Sequence, residues 1–269
     1  MKKFLAFLAF TIFLIACSRN AITGRKQLAL FPESTLQAEA VSQYQSFLSQ
    51  NKVVSSTNNR DAEMVKRVGT RIANAITAYY KSKGASKALE GYDWQFNLVD
   101  NPEINAWCMP GGKVVVYTGL LNVTQNEAAL AIVLGHEITH AVAQHGNERM
   151  SQVALAQGLE IAGNIFTSNN QKANNIFNSV FAPGAQTLVL LPNSRNQEYE
   201  ADHYGLIFAA MAGYNPQEAI PFWKRMAKAS EGGSKPPEFL STHPSDENRI
   251  AELEKFMPEA MKYYKPIKK

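Results

Sequence analysis

The chain has 269 residues, of which 45% are hydrophobic and 19% charged, so it suits one ordinary globular domain or two small ones and not a disordered polyelectrolyte. Its 27 Lys and Arg stand against 23 Asp and Glu, a formal charge of +4 that is too small an excess to argue for a nucleic-acid partner. Two cysteines exclude a disulfide scaffold and a Cys-rich zinc ribbon, so any bound metal must take His and carboxylate ligands.

The first segment reads as an address. Lys2 and Lys3 precede an apolar run, Phe4 to Ala16, broken only by Thr11. The run is too short to span a bilayer and the right length for a signal-peptide core. Leu14-Ile15-Ala16-Cys17 resembles the lipobox of bacterial lipoproteins, in which the Cys is lipidated and becomes the new N-terminus; the competing reading is a plain signal peptide with a coincidental Cys. On the lipobox reading residues 1–16 are removed, Cys17 carries the lipid, and Cys108 is left without a disulfide partner. Similarity to such lipoproteins makes Ser18 a signal for the outer membrane of a Gram-negative bacterium, with the protein facing the periplasm. Losing Lys2 and Lys3 lowers the formal charge from +4 to +2, so the mature chain is no binder of anionic lipid beyond its anchor.

Residues 18–32 are polar and read as a tether, followed by a weakly amphipathic helix from Glu33 to about Leu48 and a Ser/Asn-rich loop at 51–59. Met64, Val65, Val68, Ile72, Ile76 and Tyr79 recur at helical spacing within Ala62–Tyr80. Strands are predicted at Trp94–Val99, Asn105–Met109 and Lys113–Thr118, with Pro110-Gly111-Gly112 as a turn, together a small meander. Thr124 with Glu127 three residues on has the form of a capping box, opening a helix to Gln144 or beyond. Residues 162–193 read as a long Asn- and Ser-rich excursion with an apolar stretch at Thr187–Leu191. Ser194 with Gln197 opens a helix through Ala212, and Asn215-Pro216 opens another with Pro at its first position. A loop at 232–237, a His243-Pro244 turn and a last helix from Ser245 complete the chain.

The chemistry is carried by His136-Glu137-Ile138-Thr139-His140, an HExxH pattern inside the apolar helix opened near Thr124. Residues four apart share a helical face, so both imidazoles reach one ion, and Glu137 stands beside it, placed to polarise a water. A buried helix with two His and a Glu needs partners, and a metal supplies one. A catalytic zinc takes three protein ligands and keeps one open position. Glu198 and Asp202, four apart on the next polar-capped helix, fit as third ligand and as acceptor for the outer N–H of a ligand His. Glu200 is rotated about 200° from Glu198 and should miss the metal.

These pieces, with Asn105 to Gly112, Lys113 to Leu121, His145 to Ser151, Ser194 to Gly205 and Ser241 to Ile250, resemble the M48 family of zinc metallopeptidases over roughly residues 100–250. The short chain, the lipobox and Thr23-Gly24-Arg25 are similar to its small outer-membrane lipoprotein members. The resemblance implies an α+β, mostly helical zincin-like domain over 61–269, after a lipidated tether and helix at 17–60. It implies one Zn2+ on His136, His140 and Glu198, and Glu137 as general base. It also implies His243 as a fourth ligand, read here as a removable latch against the alternative of a loop His that caps the final helix. Arg249 either holds that loop or contacts substrate. His203 is either an oxyanion contact or a packing residue, His145 is structural near Glu148 or Arg149, and Cys108 is core. The implied function is proteolysis of unfolded or misassembled envelope proteins, with no nucleic-acid partner. A non-catalytic chaperone-like lipoprotein and a zinc hydrolase of a non-peptide or cell-wall amide remain as alternatives.

Overall fold

The computed structural model describes residues 17–157, 171–182, 194–231, 237–243 and 249–267. The signal segment 1–16, most of the 162–193 excursion, the loop at 232–236 and Pro244 to Asn248 lie outside them. The described elements run β1 (Cys17–Arg19), β2 (Lys26–Leu28), α1 (Glu33–Gln50), β3 (Val53–Val54), α2 (Arg60–Ser82), β4 (Gln95–Val99), β5 (Ala106–Met109), β6 (Lys113–Tyr117) and α3 (Thr118–Thr124). Then follow α4 (Glu127–Val142), α5 (His145–Ala156), α6 (Gln171–Phe181), α7 (Ser194–Met211), α8 (Ala219–Ser230), α9 (Glu238–Thr242) and α10 (Arg249–Tyr263), an α+β arrangement. No helix of the described residues is long and apolar enough to cross a membrane.

The sheet is mixed rather than a meander. Its order is β3-β4-β6-β5, with β4 parallel to β6 and β5 antiparallel to β6 as an edge strand. The reason is burial: Val114, Val115 and Val116 are covered on both faces, which suits a central strand of parallel type. On one face Val114 and Val116 pack with Val65, Val68, Ile72 and Ile76 of α2. On the other, Val115 and Tyr117 pack with Tyr44 of α1. Helix α2 keeps its predicted apolar stripe, and Asn59 caps it by accepting from Asp61 N and Ala62 N.

The cap of α4 differs from expectation. Asn126, not Thr124, accepts from Ala129 N; Thr124 closes α3, and Gln125 turns left-handed between the two helices (φ 63°). At its other end α4 stops at Val142, and Gln144 (φ 58°) redirects the chain into α5. His145 therefore starts a new helix, and extrapolating the α4 rotation to it fails.

Two further features position the site. Helices α4 and α7 cross where both lack a side chain: a Cβ on Gly135 would meet Gly205 O at 2.6 Å. The predicted tether at 18–32 is instead folded onto the α4–α5 junction. Strands β1 and β2 pair antiparallel, buried Asn20 donates to Ala143 O (2.7 Å), and Tyr204 Oη donates to Ile22 O (2.7 Å). Asn20 Oδ1 also accepts from Ile22 N and Thr23 N, an Asx turn that shapes the connection.

Candidate metal centre

His136 and His140 lie one turn apart on α4, and the close α4–α7 crossing carries Glu198 to them. His243, at the end of α9, completes a buried cluster whose four donor atoms all lie within 4.8 Å of one another. His136 Nε2 is 3.1 Å from His140 Nε2 and 3.2 Å from His243 Nδ1. Glu198 Oε2 is 3.0 Å from His243 Nδ1 and 3.4 Å from His136 Nε2, and Glu198 Oε1 is 3.4 Å from His140 Nε2. Zinc bonds of about 2.0–2.1 Å make a tetrahedron with edges of about 3.3–3.4 Å. The donor set thus has the type, spacing and burial of a site for one metal ion.

The outer faces of the ligands are held as well. Asp202 Oδ1 lies 2.9 Å from His136 Nδ1, and Asp202 accepts from Arg249 Nε (2.8 Å) and Nη2 (2.7 Å). Arg249 also donates to His243 O (3.3 Å), and its guanidinium sits 3.6 Å from the centre of the Trp223 ring. Of the two readings for Arg249, the geometry gives the one in which it holds the His243 loop; it does not line the cleft. His140 Nδ1 faces His145 Nδ1 at 2.9 Å, and His145 Nε2 faces Glu200 Oε2 at 2.9 Å. Glu200 is outside the cluster, directed to His145 and Arg25. Arg149 Nη2 donates to Glu198 Oε1 (3.2 Å).

Glu137 borders the cluster, its Oε1 3.4 Å from His243 Nε2 and without a hydrogen bond among the described residues. Burial pushes its carboxyl up to about 7. Burial also holds His140 well below the ordinary imidazole range, in the neutral form a ligand needs. Glu198 is held well below the carboxylate range: burial opposes this, and His243 and His140 prevail. Beside Glu137 a cleft opens between α4 and the edge strand β5, lined by Trp107, Cys108, Met109, His140 and Phe181. Cys108, expected in the core, thus borders the cleft; its Sγ donates to Met109 O and burial keeps the thiol protonated.

Of the two readings for His203, the geometry gives the packing one: its ring stacks on Phe256 (4.4 Å) and its Nε2 faces Glu259, away from the cleft, because it projects from α7 toward α10. His145 departs from expectation in its partners, which are His140 and Glu200 rather than Glu148 or Arg149. Sequence reasoning assigned Arg25, Gln197 and Arg149 no role at the site; their signal was that they lie within the segments resembling the family, which does not say what each side chain touches.

Fold and donor set together define a zincin-like domain with one metal site. The family model of Peptidase family M48 matches residues 59–257, and the chain belongs to that family. It is 34% identical over 196 residues to the mitochondrial metalloendopeptidase OMA1 of Saccharomyces cerevisiae, covering 70% of this chain and 54% of that one. It is 31% identical over 253 residues to the mitochondrial metalloendopeptidase OMA1 of Homo sapiens, covering 90% and 46%. To the beta-barrel assembly-enhancing protease of Escherichia coli it is 29% identical over 164 residues, covering 59% and 33%. The chain therefore spans about half the length of these OMA1 relatives and a third of the bacterial one.

Proposed function

We propose that the protein is a lipid-anchored zinc metalloendopeptidase that cleaves unfolded or misassembled envelope proteins at the periplasmic face of a Gram-negative outer membrane. The observation that carries the peptidase reading is the buried His136–His140–Glu198–His243 cluster, its donor atoms within 4.8 Å of one another, beside the buried Glu137 carboxylate, whose Oε1 has no hydrogen bond among the described residues. The lipobox ending at Cys17 and the bacterial relative named for β-barrel assembly support the location and substrate class.

His136, His140 and Glu198 hold the ion. Bound zinc supplies Lewis-acid chemistry, lowering the pKa of water and polarising a carbonyl. Glu137 Oε takes the proton of the attacking water and passes it to the leaving amine. Asp202 accepts the outer N–H of His136 and so fixes its tautomer. The side of β5 that is unpaired among the described residues would pair with an extended peptide through backbone hydrogen bonds, which reads backbone more than side chains and suits unfolded substrates. His243 would act as a latch: its Nδ1 lies among the donors and its Nε2 faces Glu137, so it would take the fourth position that an attacking water needs. Swinging out about the α9 end opens the site.

The test is cleavage of an unfolded protein by wild type and by Glu137→Gln, with zinc content measured for both. Zinc is retained and cleavage is lost in the variant. Equal cleavage by both refutes the mechanism, and cleavage by neither, with equal holding of unfolded chains, favours a chaperone.

A further inference from the structure

Two of the metal donors are backed by hydrogen-bonded chains that start from different helices and converge on one residue of the N-terminal hairpin, Arg25. Along the first, His140 Nδ1 faces His145 Nδ1, and His145 Nε2 faces Glu200 Oε2, each at 2.9 Å. Arg25 Nε donates to the other oxygen of Glu200 at 2.8 Å. Along the second, Arg149 Nη2 donates to Glu198 Oε1 (3.2 Å) and Arg149 Nε to Gln197 Oε1 (2.6 Å). Gln197 Nε2 donates to Glu148 Oε2 (2.7 Å), and Arg25 Nη1 and Nη2 clasp both oxygens of Glu148 at 2.8 and 2.7 Å.

The protonation of the first chain follows from its end. An imidazole that gives Nε2 to a metal carries its proton on Nδ1, so His140 Nδ1–H donates to His145 Nδ1. His145 must then be protonated on Nε2, and that N–H donates to Glu200. Only a residue offering three N–H groups in a fixed plane can hold Glu200 through Nε and clasp Glu148 with its fork, which is the geometry of arginine and not of lysine. The hairpin is itself anchored to the α4–α5 junction through Asn20 and to α7 through Ile22, whose carbonyl accepts from Tyr204 Oη, so the guanidinium is delivered by a structured segment.

We infer that Arg25 is a positioning residue of the metal centre, setting the orientation of His140 through Glu200 and His145 and that of Glu198 through Glu148, Gln197 and Arg149. The inference rests on the zinc-site reading above. It makes β1–β2 part of the metal centre although the segment contributes no ligand.

The experiment is zinc affinity of the full-length protein by chelator competition, together with the visible absorption spectrum of the Co2+-substituted form, which reports ligand geometry without requiring turnover. Arg25→Met weakens zinc about 10–100-fold, the usual cost of losing a group that orients a ligand, and shifts the cobalt bands. Glu200→Gln produces a smaller change of the same kind, and Arg25→Lys falls between wild type and Arg25→Met. Arg19→Met, which removes an exposed hairpin contact to Gly24 O outside the network, leaves both readouts at wild-type values. If Arg25→Met does not fold, Arg25→Lys and Glu200→Gln decide the matter. Wild-type affinity and spectrum in all the folded Arg25 and Glu200 variants overturn the inference while leaving the zinc site standing. Failure of wild type to bind zinc removes the zinc site and the inference with it.

Discussion

Replacing Gly135 by Ala tests whether the metal site depends on the close crossing of α4 and α7. The new Cβ would stand 2.6 Å from Gly205 O, a backbone atom that cannot swing aside. Reaching an ordinary contact of about 3.4 Å requires the helices to separate by about 0.8 Å, since interiors are close-packed and have no slack to absorb a methyl. Overpacking of this kind costs about 1–3 kcal/mol, and the higher helix propensity of Ala returns about 1 kcal/mol. The net loss of about 1 kcal/mol lowers Tm by about 2–4 °C in a domain of this size. The effect on the metal is larger than the effect on the fold. His136 follows Gly135 directly, Glu198 and Asp202 ride on α7, and a site tolerates only about 0.5 Å of displacement. Zinc affinity therefore falls by about tenfold or more, read by chelator competition beside a thermal melt of the metal-free protein. An unchanged or raised Tm together with wild-type zinc affinity would refute the claim that this crossing sets the ligand geometry.

The other predictions concern residues around the same centre. His243→Ala retains zinc and raises proteolysis of an unfolded substrate; loss of zinc would make His243 an obligatory ligand, and no change in either would remove the latch. Asp202→Asn weakens zinc binding or activity about 10–100-fold. The Asn variant is preferable to Ala because its amide oxygen still accepts one hydrogen bond from the buried Arg249 guanidinium, whereas Ala leaves none; both remove the charge, so the metal effect is read beside a thermal melt of the metal-free variant. Unchanged zinc affinity and activity in Asp202→Asn would show that the carboxylate charge behind His136 is dispensable. Cys17→Ala releases the protein from membranes, and continued co-sedimentation with outer membranes would dismiss the lipid anchor.

Much of the centre is legible along the chain because its main parts are local and periodic. His136 and His140 are four apart on one apolar helix, and Glu198 and Asp202 are four apart on the next polar-capped one. Helical period alone gives each pair a shared face. The same arithmetic turns Glu200 away from Glu198, and in the structure Glu200 is outside the cluster. Period arithmetic fails where the period is interrupted. Gln144 adopts a left-handed conformation unusual for a side chain of its kind, so His145 returns toward His140 instead of continuing round α4. Strand order was equally hidden, since the alternation within β4, β5 and β6 does not say which strand lies centrally.

The sequence by itself determined the metal-binding residue types, their pairing on helical faces and the α+β class, because those follow from side-chain chemistry and from backbone periods of a few residues. Only the tertiary structure decided that His243 closes the cluster geometrically, that Arg249 backs Asp202 rather than facing the cleft, and that Arg25 joins residues 123 and 175 positions away. A charged side chain at the surface and one clamped between two carboxylates are written with the same letter. The difference lies in which distant backbone segments pack together, and burial, not local pattern, selects that packing.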